Sequence, residues 1–265
     1  MTVPGPGLLV RVEGGTATVT IGNAARRNAM TLAMWEALPE VLAPLAADPR
    51  VRVLVLTGAG GTFCAGADIN DLSRPGGVEA GRAASVAAEE ALAAFPKPTL
   101  AVIRGFCVGG GCQLAVACDL RFAAEGARFG VTPARLGIVY PAATTRRLVA
   151  LTGPSAAKHL LFSAELIDHE RALRTGLVDE VLPAGALDRR VREYTALLGS
   201  RSQLTQVTAK ESAALPPEGK ALPPEGKPGA DRDPRPAGAE REAAEGIAAF
   251  LERREPRFTW ARPAG

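Results

Sequence analysis

Aromatic residues make up only 5% of this 265-residue chain (8 Phe, 2 Trp, 2 Tyr), and there are just 2 histidines. With so few rings, the core must be built from aliphatics and Ala, as in a helix-rich α/β protein. The two histidines, His159 and His169, fall in helical segments away from any glycine loop, which leaves little scope for a His-based triad or metal cluster. The 4 cysteines (Cys64, Cys107, Cys112, Cys118) lie in apolar or Gly-rich surroundings without CxxC spacing. They read as buried free thiols, neither zinc ligands nor disulfides. No apolar run approaches 18 residues, and the first residues lack the cationic and apolar stretches of a signal peptide, so a cytoplasmic protein without a membrane partner is expected. Neither sign of charge dominates: the formal net charge is +3, with acids and bases interspersed. No basic run alternates with aromatics, and no nucleic-acid partner is expected.

Several chemistries fail for want of a motif. VLVLTGAGGTF follows a strand-like run, but Phe63 stands where a dinucleotide fingerprint needs a small residue, and no acidic strand end follows at the required distance. Tyr140 and Tyr194 are followed four residues on by Thr144 and Leu198, so no Tyr-x-x-x-Lys pair exists. Gly-Lys-Ser/Thr and G-x-S-x-G are absent as well.

What is present is alternation and glycine. Residues 8–13 and 16–21, joined by Gly14-Gly15, predict a β-hairpin. Thr31 reads as the N-cap of a helix to about Ala46, although Pro39 and Pro44 interrupt it. Val51–Thr57 is apolar enough for a strand buried on both faces. Asp68 is placed to cap a helical turn through Leu72, residues 74–82 look mobile, and Ala83–Phe95 reads as helix. A second strand, Thr99–Ile103, leads to Gly105, three glycines at 109–111 and an apolar helix closed by Asp119. A short strand near Leu120–Ala123 and an extended run from Arg128 through Pro133 to a turn at Gly137 follow. Helices are expected at about 142–151, 154–163, 169–175, 187–199 and 239–253, the last with Ile247, Phe250 and Leu251 on one face. Residues 215–236 differ in kind, with LPPEGK repeated around an Ala, and read as a flexible or polyproline-like excursion.

Two strand–loop–helix units in series predict stacked ββα turns. Their loops, Cys64–Asp68 and Gly109–Gly111, are alike in design. If they face one another, two backbone N–H groups could converge on one oxygen, as an oxyanion hole requires. If they do not, both are tight structural turns. Asp68 reads as a helix cap before it reads as chemistry.

FCAGADINDL, GFCVGGGCQLAVACDLRFA, ARFGVTPARLGIVYP and the closing AAFLERREPRF together resemble the crotonase superfamily, the enoyl-CoA hydratase/isomerase group. The resemblance implies an α/β fold: the crotonase (ClpP-like) spiral of repeated ββα units with a C-terminal helical region. A core at 1–200 and a helical, oligomerising region at 201–265 would follow. It also implies an acyl-CoA thioester substrate, no permanent cofactor and no metal, and a homotrimer or a dimer of trimers. By residue match, Ala67 and Gly110 would donate the two N–H groups that hold a thioester enolate. Carbonyls around Ala65 and Ile69 would meet the adenine, beside Asp68, and Arg26 would lie near the CoA phosphates. The acyl pocket wall is expected from 72–95 and 133–146.

Hydratases of this family hold water between two glutamates, whose positions here are Gln113 and Pro133. Gln orients a water but cannot take its proton. FGVTPARLGIVY is also similar to the methylmalonyl-CoA decarboxylase branch, in which the residue matching Tyr140 lies in the active site. Decarboxylation of a malonyl-type thioester needs no base, so it is the preferred expectation, with Gln113 beside the departing carboxylate. Hydration or isomerisation by other groups, and a non-catalytic CoA-binding subunit, are the alternatives.

Overall fold

The computed structural model describes residues 7–213 and 238–261, so the LPPEGK repeat lies outside the described residues. Strands β1 (Leu8–Glu13) and β2 (Thr16–Ile21) form the expected antiparallel hairpin. Gly14 and Gly15 both adopt positive φ, which makes the turn cheap. Helix α1 (Leu32–Ala47) begins where Thr31 accepts a hydrogen bond from the Met34 N–H. It runs through both prolines. Met34, Trp35, Leu38, Val41, Leu42 and Leu45 are all buried along it. At roughly 1.5–3 kcal/mol each, that burial exceeds the cost of about 3 kcal/mol per interior proline.

Strand β3 (Val53–Gly58) leads to a one-turn helix α2 (Ile69–Leu72) and then α3 (Gly77–Ala93). The latter starts six residues before the expected Ala83. Gly76 takes the left-handed conformation, and a Cβ on Gly77 would lie 2.1 Å from the Asp71 carbonyl. These glycines serve a tight entry to the helix, which corrects the reading of 74–82 as mobile. Next come β4 (Thr99–Ile103), β5 (Phe106–Val108), α4 (Gly110–Ala117), β6 (Leu120–Ala124) and β7 (Arg128–Gly130). A 3-10 turn at Pro133–Arg135 precedes α5 (Ala142–Ser163), which is kinked at Gly153. The remaining elements are β8 (Ile167–Asp168), α6 (His169–Arg174), β9 (Glu180–Leu182), α7 (Ala184–Ser200), α8 (Gln203–Ala213) and α9 (Ala239–Glu252).

The main sheet has the order β1-β2-β3-β4-β6-β9, parallel except for the hairpin, and a small sheet β5-β7-β8 stands beside it. Both faces of β3 and β4 are buried. One face packs on the large core of α1, α3 and α4, the other on Leu187, Val191 and Tyr194 of α7. Asp119 does not cap α4, which ends at Ala117; its carboxylate accepts from the Thr99 N–H (2.8 Å) and hydroxyl (2.9 Å) at the start of β4. Ile247, Phe250 and Leu251 of α9 remain exposed. No described helix is long and apolar enough to cross a membrane.

Candidate active site

The two glycine loops do face each other. Cys64 N–H donates to Phe106 O (2.9 Å) and Val108 N–H to Cys64 O (2.9 Å), so residues 63–68 are stitched alongside β5. On the other side, Met30 N–H donates to Gly66 O (2.8 Å) and Asp68 N–H to Met30 O (2.8 Å). In that strand-like clamp Gly66 and Asp68 face Met30, and the Ala67 N–H between them in sequence points the other way, without a partner among the described residues. Gly110, the first residue of α4, likewise has no acceptor for its N–H within the helix. The three glycines have separate reasons. Gly109 is at φ +55, a Cβ on Gly110 would lie 2.7 Å from the Trp35 ring, and one on Gly111 would lie 2.3 Å from the Cys64 carbonyl oxygen. From the Gly110 Cβ position the Ala67 nitrogen is 3.6 Å away. The Ala67 and Gly110 backbones are thus neighbours beside a cavity, and two N–H groups that converge there can bind an oxygen as it gains negative charge.

That cavity, about 170 Å³, is lined by Ala65, Ala67, Ile69, Gly110, Gln113 and Tyr140 of the expected site residues, and by Trp35. Its walls are Leu72, Val78, Gly81, Arg82 and Ser85 on one side and Pro133, Leu136, Ile138, Val139 and Pro141 on the other, the two segments expected. Arg26 and Asp68 do not line it. Asp68 caps α2 by accepting from Asn70 N–H (2.9 Å), and Arg26 Nη1 lies 2.6 Å from its Oδ2. Burial works against the Asp68 carboxylate, but Asn70 and Arg26 together hold its pKa below the ordinary carboxylate range. Half of the Arg26 side chain remains exposed, so an anion can still reach it from solvent.

Tyr140 reaches the same loop by donating its hydroxyl hydrogen to Gly109 O (3.1 Å). Burial pushes the Tyr140 phenol well above its usual pKa, so it stays protonated and anchored. Tyr140→Phe is therefore expected to cost about 1 kcal/mol, roughly 2–4 °C in Tm, and to slow turnover by less than about tenfold. A much larger loss of turnover with a normal Tm would make the phenol a proton donor.

Sequence reasoning missed the group behind Gln113. Its Nε2 donates to Glu89 Oε2 (2.8 Å) and to Ser85 O (3.3 Å). Glu89 is fully buried on α3 and also accepts from the Thr144 hydroxyl and the Arg147 guanidinium, both on α5; Arg147 reaches Glu90 as well, at 2.8 Å. One signal was available: Ser85, Ala88 and Leu92 mark the buried stripe of α3, and Glu89 lies on it. With both amide hydrogens engaged, the Oε1 of Gln113 is the polar atom left for the cavity. That orientation weighs against the expectation of a carboxylate beside Gln113, because an acceptor oxygen repels one.

The comparisons with known proteins agree with this architecture. The sequence matches the Enoyl-CoA hydratase/isomerase family over residues 11–261. It is 31% identical over 255 residues to the crotonyl-CoA hydratase of Syntrophomonas wolfei, covering 95% of this chain and 97% of that protein. Identity to the 2,3-dehydroadipyl-CoA hydratase of Escherichia coli is 31% over 254 residues, covering 95% and 98%. The crystal structure of an enoyl-CoA hydratase from Bacillus anthracis superposes with a TM-score of 0.82 at 28% identity, covering 95% of this chain and 98% of that one. These relatives are named hydratases, and they lend no support to the decarboxylase branch suggested by residues 129–140. By sequence over nearly its whole length and by its crotonase fold, the chain belongs to the enoyl-CoA hydratase/isomerase family.

Proposed function

We propose that the protein binds an acyl-CoA thioester and adds water to its α,β-double bond, holding the resulting enolate oxygen between the N–H groups of Ala67 and Gly110. Ala65 and Ile69 flank the CoA entrance, and Arg26 meets its phosphates from the solvent side. Water attacks the β-carbon, the π-electron pair moves to the thioester oxygen, and the proton that the attacking water loses is balanced by the one the α-carbon takes up as the enolate collapses. The observation that carries the choice of water is the orientation of Gln113, whose Oε1 accepts a hydrogen bond from a water but offers nothing to a carboxylate. The hydratase names of the relatives favour the same reaction.

Among the described residues no carboxylate lines the cavity, so none of them is placed there as a general base. A positioned base is worth about 10²–10⁴-fold, and hydration is expected to be slower than in a glutamate-bearing hydratase by about that factor. The same lack favours the second reading, decarboxylation of a malonyl-type thioester, which needs no base. The test is a paired assay: crotonyl-CoA followed by loss of enoyl absorbance, and methylmalonyl-CoA followed by release of carbon dioxide. Slow hydration without carbon dioxide is expected. Carbon dioxide release without hydration would replace the reading with decarboxylation.

A further inference from the structure

We infer that Glu89 is a positioning residue that sets the hydrogen-bond polarity of the acyl pocket, locking the Gln113 amide so that the pocket selects thioesters bearing a donor at that point and rejects those bearing a carboxylate. The inference rests on the reading that the acyl group lies against Gln113. Its physical basis is a chain of groups with one consistent direction. Arg147 and the Thr144 hydroxyl both donate to the Glu89 side chain, whose two carboxylate oxygens are acceptors only. Only the amide nitrogen of Gln113 can face a carboxylate at 2.8 Å; the flipped amide would set oxygen against oxygen. The Ser85 carbonyl, 3.3 Å from the same nitrogen, takes the second hydrogen and opposes the flip as well.

The contact of Glu89 with Gln113 and Thr144 lies out of solvent. Glu89 and Thr144 are fully buried and Gln113 is 3% exposed, so water cannot stand in for a missing partner. Glu89 does not line the cavity, and it acts on the ligand only through Gln113. A purely structural carboxylate at this place would support α3 against α5 and leave ligand preference untouched.

The experiment measures binding of 3-hydroxybutyryl-CoA, malonyl-CoA and butyryl-CoA to the full chain by calorimetry, for the unaltered protein and for Glu89→Gln. An amide at 89 can face Gln113 either way round, so only the longer 3.3 Å bond to the Ser85 carbonyl still opposes the flip and the lock is loosened. The unaltered protein is expected to bind the hydroxy thioester at least about tenfold tighter than the carboxylate thioester. In Glu89→Gln that ratio is expected to fall about tenfold while butyryl-CoA binding and Tm change little. Should Glu89→Gln not accumulate folded, Glu89→Asp keeps the charge for Arg147 but stops one methylene short of Gln113, and the ratio is expected to fall in the same way. An unchanged ratio in a folded variant that still binds butyryl-CoA overturns the inference. If the unaltered protein binds none of the three, the acyl-CoA reading has failed instead. If the ratio shifts as expected but crotonyl-CoA is not hydrated, the inference stands and the proposed reaction falls.

Discussion

Gly110→Pro is expected to lower kcat on crotonyl-CoA by about 10²–10³-fold relative to Gly110→Ala, with the two variants similar in Tm. The comparison is built to isolate one hydrogen. Residue 110 is the first of α4, where proline is tolerated because that N–H has no helical acceptor. Gly109 before it sits at φ 55, ψ −117, the mirror image of the extended region that a residue before proline prefers, and only glycine takes it freely. Both variants add a Cβ, and both must therefore push on Trp35, whose ring lies 2.7 Å from that position. That shared strain cancels in the ratio. What differs is the donor, present in Ala and replaced in Pro by the ring Cδ, which puts a methylene where the hydrogen pointed. Equal rates for the two would mean that the Gly110 N–H holds no developing charge.

The parts of the fold that were legible in the sequence are those where local chemistry and tertiary packing agree. The hairpin at 8–21 combines strict alternation with a two-glycine turn, and Thr31 and Asp68 are capping residues in capping positions. Where the two disagree, packing wins: α1 passes through Pro39 and Pro44, and Gly76-Gly77 opens a helix that composition alone would have delayed. Strands β5, β8 and β9 span three, two and three residues, too short to carry a period of two. β9 exists because the longer β6 offers it an edge, and β5 and β8 because they pair on the two sides of β7.

The site divides along the same line. The approach of its two backbone loops was visible because glycine clusters mark close approach. The side chain that decides how Gln113 is used was not, because Glu89 lies 24 residues away and its partners Thr144 and Arg147 lie more than 50 residues beyond it. Sequence shows Gln113 as a lost glutamate. Structure shows that a carboxylate is still present, moved one side chain back from the cavity.

That displacement can be reversed. Glu89→Gln combined with Gln113→Glu is expected to raise crotonyl-CoA hydration by about 10²-fold or more, the worth of a positioned general base. The exchange keeps the number of charges and nearly the same volume. With the amide introduced at 89 turned so that its nitrogen faces the carboxylate at 113, its oxygen accepts from Arg147, which also retains Glu90, and the Thr144 hydroxyl turns to accept from the nitrogen. Gln113→Glu alone should gain much less near neutral pH. It sets a second carboxyl 2.8 Å from the first, and two carboxylates that close cannot both be charged, so the introduced group keeps its proton and cannot act as a base. Its rate should climb as the pH is raised and the proton leaves, whereas the double variant should already be fast at neutral pH. The measurement is kcat for crotonyl-CoA across about pH 6–9 for the single and double variants. A folded double variant no faster than the starting protein would place the attacking water elsewhere than at Gln113, because a carboxylate facing that water in a buried pocket has no other means of remaining idle.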